Sequence, residues 1–272
     1  MRDASLWARR FLEELESFEV KRGIALWSLG SPSFLYRSAQ ATIYIDPYFG
    51  PTPPEAETLY PNVYRTTAVP IDAGEISRVD AVISTHDHTD HCHEPTLAEF
   101  QSHTSAVFIA PESSTSRMLK GGIARDRIQT VHPGDKLSVK DVEIRTFNSH
   151  DPDAPGAVTY LFTADGVTLF VSGDTRDGVT LSEIGDKHQV DVALLAFGSR
   201  RLYMTHDQML EAARRLKPKL LLPFHWEVWR GETGDPLALG KMVALNPPPF
   251  DLRLLKIGDR ISYEAARGVV SD

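Results

Sequence analysis

Four histidines, two aspartates and the chain's only cysteine fall within Ile83–Glu94, ISTHDHTDHCHE. Crowding imidazoles and carboxylates is costly unless a cation neutralises and orients them. His86, His88, Asp90 and His91 make an H-x-H-x-D-H pattern directly after Val79–Thr85, VDAVIST, which reads as a buried strand. On extended backbone alternate side chains share a face, so His86 and His88 point the same way and can share one cation. Asp90 and His91 are adjacent and face differently. They serve a second cation, or one is a ligand and the other a base. Neutral imidazoles and carboxylates suit Zn2+, Mn2+ or Fe2+.

A catalytic site needs further ligands from elsewhere in the chain. His150 ends VEIRTFNSH, Asp174 ends LFVSGD and His225 ends LLLPFH. Each follows a β-like run and opens a loop, which is how the edge of a sheet sandwich presents ligands around one cavity. Asp46, in IYIDPYFG, ends an early strand and can fix the tautomer of a liganding imidazole by accepting its hydrogen bond. Asp87, inside the motif, can orient a ligand or hold charge near the substrate. His93 and Trp226, with Trp229, are placed to line the pocket. Arg65, in RTT with Thr66 and Thr67, offers a forked contact to an anionic substrate group. Cys92 reads as a small buried residue.

The elements that must hold these residues follow from periodicity. Residues 4–18 carry Leu6, Trp7, Phe11, Leu12, Leu15 and Phe18 at helical spacing, an amphipathic helix docked on the body within residues 1–20. IALWSLG, SFLYRS and ATIYIDPYF read as a strand meander. Residues 51–78 are irregular and open on the Pro-rich PTPPEAETLYPN, as in a functional loop or lid. AVFIAP and VDVALLAFG are buried strands, residues 128–171 are several strands with an ADG hairpin, and ESSTSRMLKGG is helical. MTHDQMLEAARRLKPK is the best-marked helix, with a Thr205/Gln208 capping box, a Met204/Met209 staple and Pro218 as its stop. A short helix and a Pro-rich turn occupy 236–250, and FDLRLLKIGDRISY has a hairpin pattern. Strand meanders with interspersed helices imply an α/β fold of two packed sheets flanked by helices, an αββα four-layer sandwich.

The 272 residues are read as one domain, ample for a core, and the formal net charge of −8 removes a basic footprint for large nucleic acids. One cysteine cannot make an internal disulfide, the N-terminus lacks the apolar core of a signal peptide, and no apolar run reaches the roughly 18 residues of a membrane span. A cytoplasmic enzyme with a small-molecule substrate and no membrane partner is expected, with its oligomeric state, homo-oligomer included, left open.

The ordered set H-x-H-x-D-H, His, Asp, His resembles the ligand signature of the metallo-β-lactamase superfamily. Within it the chain is similar to the L-ascorbate-6-phosphate lactonases of the UlaG type. The likeness is carried by ALWSLG, IDPYFG, RTT, DAVISTHDHTDH, HPGDKLSVKDVEI, AVTYLF, SGDT, HQVDVALLAFG, MTHDQM and PFHWEVW, spread over residues 24–230. The resemblance implies the αββα fold and a divalent-metal hydrolase with one or two ions, Zn2+ or Mn2+. It puts His86, His88, Asp90, His91, Asp174 and His225 on the family's metal positions, and His150 on the pattern of the wider superfamily. The expected chemistry is attack by a metal-activated water, whose pKa falls from about 15.7 to near 7, on a lactone or ester of a small anionic substrate. Asp90 is then ligand, orienting base or proton carrier. A phosphodiesterase acting on a small cyclic phosphate or nucleic acid is the alternative.

Overall fold

A computed structural model of the chain describes residues 2–30, 32–50, 65, 68–176, 178–198, 203–227 and 234–270. Chain order gives α1 (Arg2–Ser17), β1 (Ile24–Ser28), β2 (Phe34–Arg37), β3 (Thr42–Ile45), β4 (Ala81–Ile83), α2 (Glu94–His103), β5 (Val107–Ala110), α3 (Glu112–Lys120) and β6 (Ile128–Thr130). There follow β7 (Lys136–Val139), β8 (Val142–Asn148), β9 (Val158–Ala164), β10 (Val167–Val171), α4 (Val179–Lys187) and β11 (Val192–Ala196). The last elements are α5 (His206–Leu216), β12 (Leu220–Phe224), α6 (Pro236–Leu245), β13 (Asp251–Leu252), β14 (Arg260–Glu264) and β15 (Gly268–Val270).

The strands form two sheets, ordered β15-β14-β1-β2-β3-β4-β5-β6 and β13-β12-β11-β10-β9-β8-β7. Side chains of period two divide each inner strand between two cores. In β1, Ile24 and Leu26 face the other sheet, while Ala25 and Trp27 face Phe11 and Leu15 of α1. In β11, Val192, Leu194 and Ala196 face the intersheet core, while Ala193 and Leu195 meet Met209 and Ala213 of α5. The strands are apolar on both faces because both faces are covered. α1, α2 and α3 pack outside the first sheet, and α4, α5 and α6 outside the second. This is the expected four-layer αββα order.

The capping box at the start of α5 is present, with Thr205 Oγ1 accepting from Gln208 N–H and Gln208 Oε1 accepting from Thr205 N–H. Met204 and Met209 are buried in one cluster, and the helix ends on Lys217 in the left-handed region, one residue before Pro218. The ADG hairpin turns on Asp165 and Gly166, both at positive φ, between β9 and β10.

The expected hairpin in FDLRLLKIGDRISY does not form. β13 pairs parallel to β12 in the second sheet, and the chain then crosses to the first sheet, where β14 pairs antiparallel to β1 and β15. Local alternation marks strands but not which sheet each joins. α2 and α4 were not expected from the periodicity. Only Thr96, Leu97 and Phe100 of α2, and Leu181 and Ile184 of α4, are buried, and α4 contains Gly185, a poor helix former. The expected lid residues 51–64, together with Thr66, Thr67 and Trp229, lie outside the described residues.

Candidate metal centre

The metal-type side chains gather at one end of the two sheets. β4 is flanked by parallel β3 and β5, and its exit is fixed on both sides by Asp46 N–H donating to Ile83 O at 2.8 Å and Ser84 N–H donating to Ile109 O at 3.0 Å. The second sheet grips the same turn. Val158 N–H donates to Thr85 O at 3.0 Å, and the Tyr160 hydroxyl donates to Ser84 O at 3.0 Å. The loop that follows curls back, with His91 N–H and Cys92 N–H both donating to His88 O.

Two groups of ligand-type atoms result, each with its atoms within 4.8 Å of one another: His86, His88, Asp151 and Asp174, and Asp90, His91 and His225. Asp174 stands between them. Its Oδ2 lies 3.8 Å from His86 Nε2 and 3.3 Å from His91 Nε2, and its Oδ1 lies 3.6 Å from His225 Nε2. Asp90 Oδ2 lies 3.2 Å from His225 Nε2 and 3.7 Å from His91 Nε2. Asp90 and His91, though adjacent, turn into the same group because the loop there is curled rather than extended.

The tautomers follow from the hydrogen bonds. Asp46 accepts from Thr85 N–H at Oδ1 and from the Thr85 hydroxyl at Oδ2. Its Oδ2 also lies 2.7 Å from His91 Nδ1, which as the partner of a carboxylate carries the proton. With its own proton given to Asp46, Thr85 Oγ1 accepts from His86 Nδ1–H at 3.0 Å. His88 Nε2 faces the Asp153 carbonyl at 3.3 Å and carries its proton there. His86 Nε2 and His88 Nδ1 are thus both left as lone pairs, facing each other at 2.9 Å. His91 Nε2 and His225 Nε2 face each other at 3.3 Å. Asp151 Oδ2 and Asp174 Oδ1 are buried without a hydrogen-bond donor among the described residues. A bound cation would satisfy these opposed lone pairs and undonated buried carboxylate oxygens. The donor set, imidazole nitrogen with carboxylate oxygen, fits a divalent ion such as Zn2+ or Mn2+.

The electrostatics agree with that fit. Burial and the neighbouring His91 push the His86 imidazole well below its usual value, so it stays neutral. Burial opposes charge on His91 too, but Asp174, Asp90 and Asp46 outweigh it and raise His91 well above the usual value. Burial alone would raise Asp90 and Asp174; the surrounding imidazoles reverse this and hold both carboxyls well below the usual range.

His150 and the remaining candidate residues lie outside the two groups. His150 joins neither group. Its Nε2 pairs with Thr180 Oγ1 at 2.8 Å, and its ring packs on Gly178, where a Cβ would sit 2.3 Å from His150 Cδ2. The next residue, Asp151, enters the His86 group instead, its Oδ1 held by Asp153 N–H. Adjacent residues at a strand exit point apart, so only one of the two can enter. His93 is buried at the start of α2, bonded to Thr96 Oγ1 at 2.7 Å and edge-on to Tyr48, and burial lowers it to about 4. Arg65 Nη1 donates to the carbonyls of Tyr48 and Gly50, and its guanidinium lies over the Tyr48 ring. Trp226 is half-buried and packs on the core beneath α5. Asp87 is half-buried, and its carbonyl accepts from Arg117 Nη1. Cys92 is buried behind the loop, its thiol pushed up to about 12 by burial.

Sequence reasoning missed Thr85, Asp151 and Tyr203. Thr85 is the hub of the Asp46, His86 and His91 contacts. Tyr203 lies against His225 at a tilt, with ring centroids 4.3 Å apart. The position of Thr85 directly before the H-x-H-x-D-H pattern was its only signal. Gly173, at φ 53, lets the Asp174 turn close on Thr85, since a Cβ there would lie 2.8 Å from the threonine side chain.

Comparison with known proteins agrees with this geometry. The beta-lactamase superfamily domain family matches residues 25–225. The Escherichia fergusonii protein named probable L-ascorbate-6-phosphate lactonase UlaG is 29% identical over 274 residues, covering 85% of this chain and 77% of that one. Among solved structures, isothiocyanate hydrolase from Delia radicum gut bacteria superposes with a TM-score of 0.70 at 17% identity, covering 89% of this chain and 99% of that one. Igni18, a metallo hydrolase of Ignicoccus hospitalis, superposes with a TM-score of 0.68 at 19% identity, covering 89% and 98%. No helix among the described residues is long and apolar enough to cross a membrane. With the two ligand groups at the sheet edge and the family match across them, the chain belongs to the beta-lactamase superfamily domain family and is a metal-dependent hydrolase of that fold.

Proposed function

We propose that the protein hydrolyses a lactone or ester of a small anionic substrate with Zn2+ or Mn2+ at this centre. The observation that carries the reading is the pair of ligand groups joined at Asp174, with lone pairs of His86 and His88 opposed at 2.9 Å. His86, His88, Asp151 and Asp174 would hold one ion, and Asp90, His91 and His225 a second. When bound, the ion supplies a nucleophilic water at neutral pH and polarises the carbonyl under attack. Thr85 and Asp46 keep His86 and His91 with Nε2 turned into the site. Asp90, kept ionised by His91 and His225, would contribute Oδ2 to the second ion, and its carboxylate would take the proton that the attacking water loses and return it to the leaving alkoxide. The lactone class is supported by the 29% identity to the protein named as a lactonase.

The test is purified protein loaded with Zn2+ or Mn2+, assayed on L-ascorbate 6-phosphate and simple lactones beside bis-p-nitrophenyl phosphate. Metal-dependent lactone opening, abolished in His86→Ala and Asp174→Ala while the fold persists, is expected. Turnover of the phosphodiester alone would replace this reading with a phosphodiesterase, and wild-type rates in either variant would remove the site assignment.

A further inference from the structure

We propose that Arg117 of α3 is a positioning residue that sets the shape of the His86–His91 loop, and through it the affinity of the metal centre. The proposal rests on the metal reading above. Arg117 ends in a planar fork with contacts on three residues. Nη1 donates to the Asp87 carbonyl at 2.8 Å, and Nη2 donates to Thr89 Oγ1 at 3.2 Å and to Glu94 Oε2 at 2.8 Å. Nε lies 2.7 Å from Glu94 Oε1, so the carboxylate anchors the guanidinium along one edge.

The places where the fork lands decide its role. An ordinary interhelix ion pair between α2 and α3 would need only Glu94. The other contacts fall on Asp87, flanked by His86 and His88, and on Thr89, between His88 and Asp90. Among the described residues, these are the hydrogen bonds made by the Asp87 carbonyl and the Thr89 hydroxyl. The ends of the loop are held by other means: Thr85 is pinned by β9 and Asp46, and His91 and Cys92 bond back to His88 O. The span between carries His88 and leads into Asp90; the His88 ring meets the Asp153 carbonyl at 3.3 Å, and Arg117 supports the Asp87 carbonyl and the Thr89 hydroxyl. A shift of the Asp87 peptide would move His86 Nε2 and His88 Nδ1 relative to each other, and those atoms are 2.9 Å apart. Lysine has a single ammonium and cannot reach carbonyl, hydroxyl and carboxylate with fixed angles, so the fork and not the charge is the active feature. α3 itself is held independently, with Ser114, Thr115 and Met118 buried.

Arg117 also borders a cavity of about 440 Å³ lined by Asp87, Glu94, Ser113, Ser116 and Lys120. That opening gives a small cation from solution a route to the space that Arg117→Ala would vacate.

The experiment uses cobalt(II) as the probe on the full chain, reading dissociation constant by chelator competition and site geometry by visible absorption. Metal-free thermal unfolding serves as the control for the fold. Arg117→Lys is expected to bind cobalt about tenfold more weakly, with an altered absorption band and a metal-free midpoint close to wild type. Arg117→Ala is expected to lose more, about 10- to 100-fold, and to regain affinity on addition of millimolar guanidinium but not of methylammonium. Cobalt affinity and spectrum equal to wild type in both variants would overturn the brace alone. A wild-type chain that takes up no cobalt would overturn the metal reading and the brace together. If Arg117→Ala fails to fold, Arg117→Lys decides the matter, with Glu94→Gln expected to show a smaller loss in the same direction.

Discussion

The Asp46 carboxylate lies 2.7 Å from His91 Nδ1, reaching from the end of β3 to the loop after β4 across 45 residues of sequence. Asp46 does this at φ 45, a left-handed conformation that aspartate tolerates better than most residues. Burial pushes its carboxyl up, and the three donors from His91 and Thr85 work against that shift. The pair fixes the His91 tautomer and with it the direction of Nε2.

Asp46→Asn should therefore weaken metal binding by about tenfold or more without removing any ligand atom. Thr85→Val should act in the same direction, because it removes the acceptor of His86 Nδ1 and a donor that steadies Asp46 against His91. Competition with a chromophoric chelator measures both, and wild-type affinity in Asp46→Asn would contradict the link.

The placement of Asp151 and His150 separates two readings of the same strand exit. Asp151→Asn should lower bound metal, measured by elemental analysis after dialysis against a limiting chelator. His150→Gln should leave the metal content near wild type, because the side chain is spent on Thr180. The reverse result would return His150 to the ligand set.

Metal uptake should strengthen as pH rises. In the metal-free chain the carboxylates of Asp174, Asp90 and Asp46 overcome burial and raise His91 above its usual value. A raised imidazole stabilises the metal-free fold fully below its unfolded pKa of about 6.5, and that contribution fades as pH climbs through the folded value. The cation competes with this proton, so binding releases it. Titration calorimetry in two buffers of different ionisation enthalpy should show the release, and affinity should rise between about pH 6 and pH 8. An affinity flat across that range would refute it.

Arg37 is fully buried and tethers α1 to the body. Nη2 donates to Leu15 O and Nη1 to Phe18 O, satisfying carbonyls at the helix C-terminus, while Nε donates to Thr42 Oγ1. Burial lowers its guanidinium to about 10. Arg37→Met leaves the buried Leu15 carbonyl without its donor and Phe18 O with Arg78 Nη1 at 3.3 Å, a loss of about 1–3 kcal/mol for the unsatisfied group. Early trypsin cleavage near Lys21 and Arg22 is expected in that variant, with cobalt binding retained. Unchanged proteolysis would mean that the apolar contacts of Phe11 and Leu15 hold α1 without help.

Most of the metal-type side chains of the two groups are legible in the sequence. H-x-H-x-D-H after a buried strand, Asp174 after LFVSGD and His225 after LLLPFH each sit where an apolar run stops, and strand ends are visible in local pattern. The docking helix, the meander and the capped α5 are legible for the same reason, since each is written in short-range periodicity and cap chemistry. Which sheet receives a strand is not local. β13 and β14 look like one hairpin in sequence and lie in different sheets, because their partners β12 and β1 are distant in the chain. The choice between His150 and Asp151 is likewise a question of which neighbour faces inward after the strand ends, and packing against Gly178 and Thr180 decides it. Sequence thus determined the kinds of ligand-type side chain and their order along the chain. Tertiary structure decided their grouping around Asp174, their tautomers through Asp46 and Thr85, and the Arg117 brace, because hydrogen bonds across tens of residues exist only once both sheets are in register.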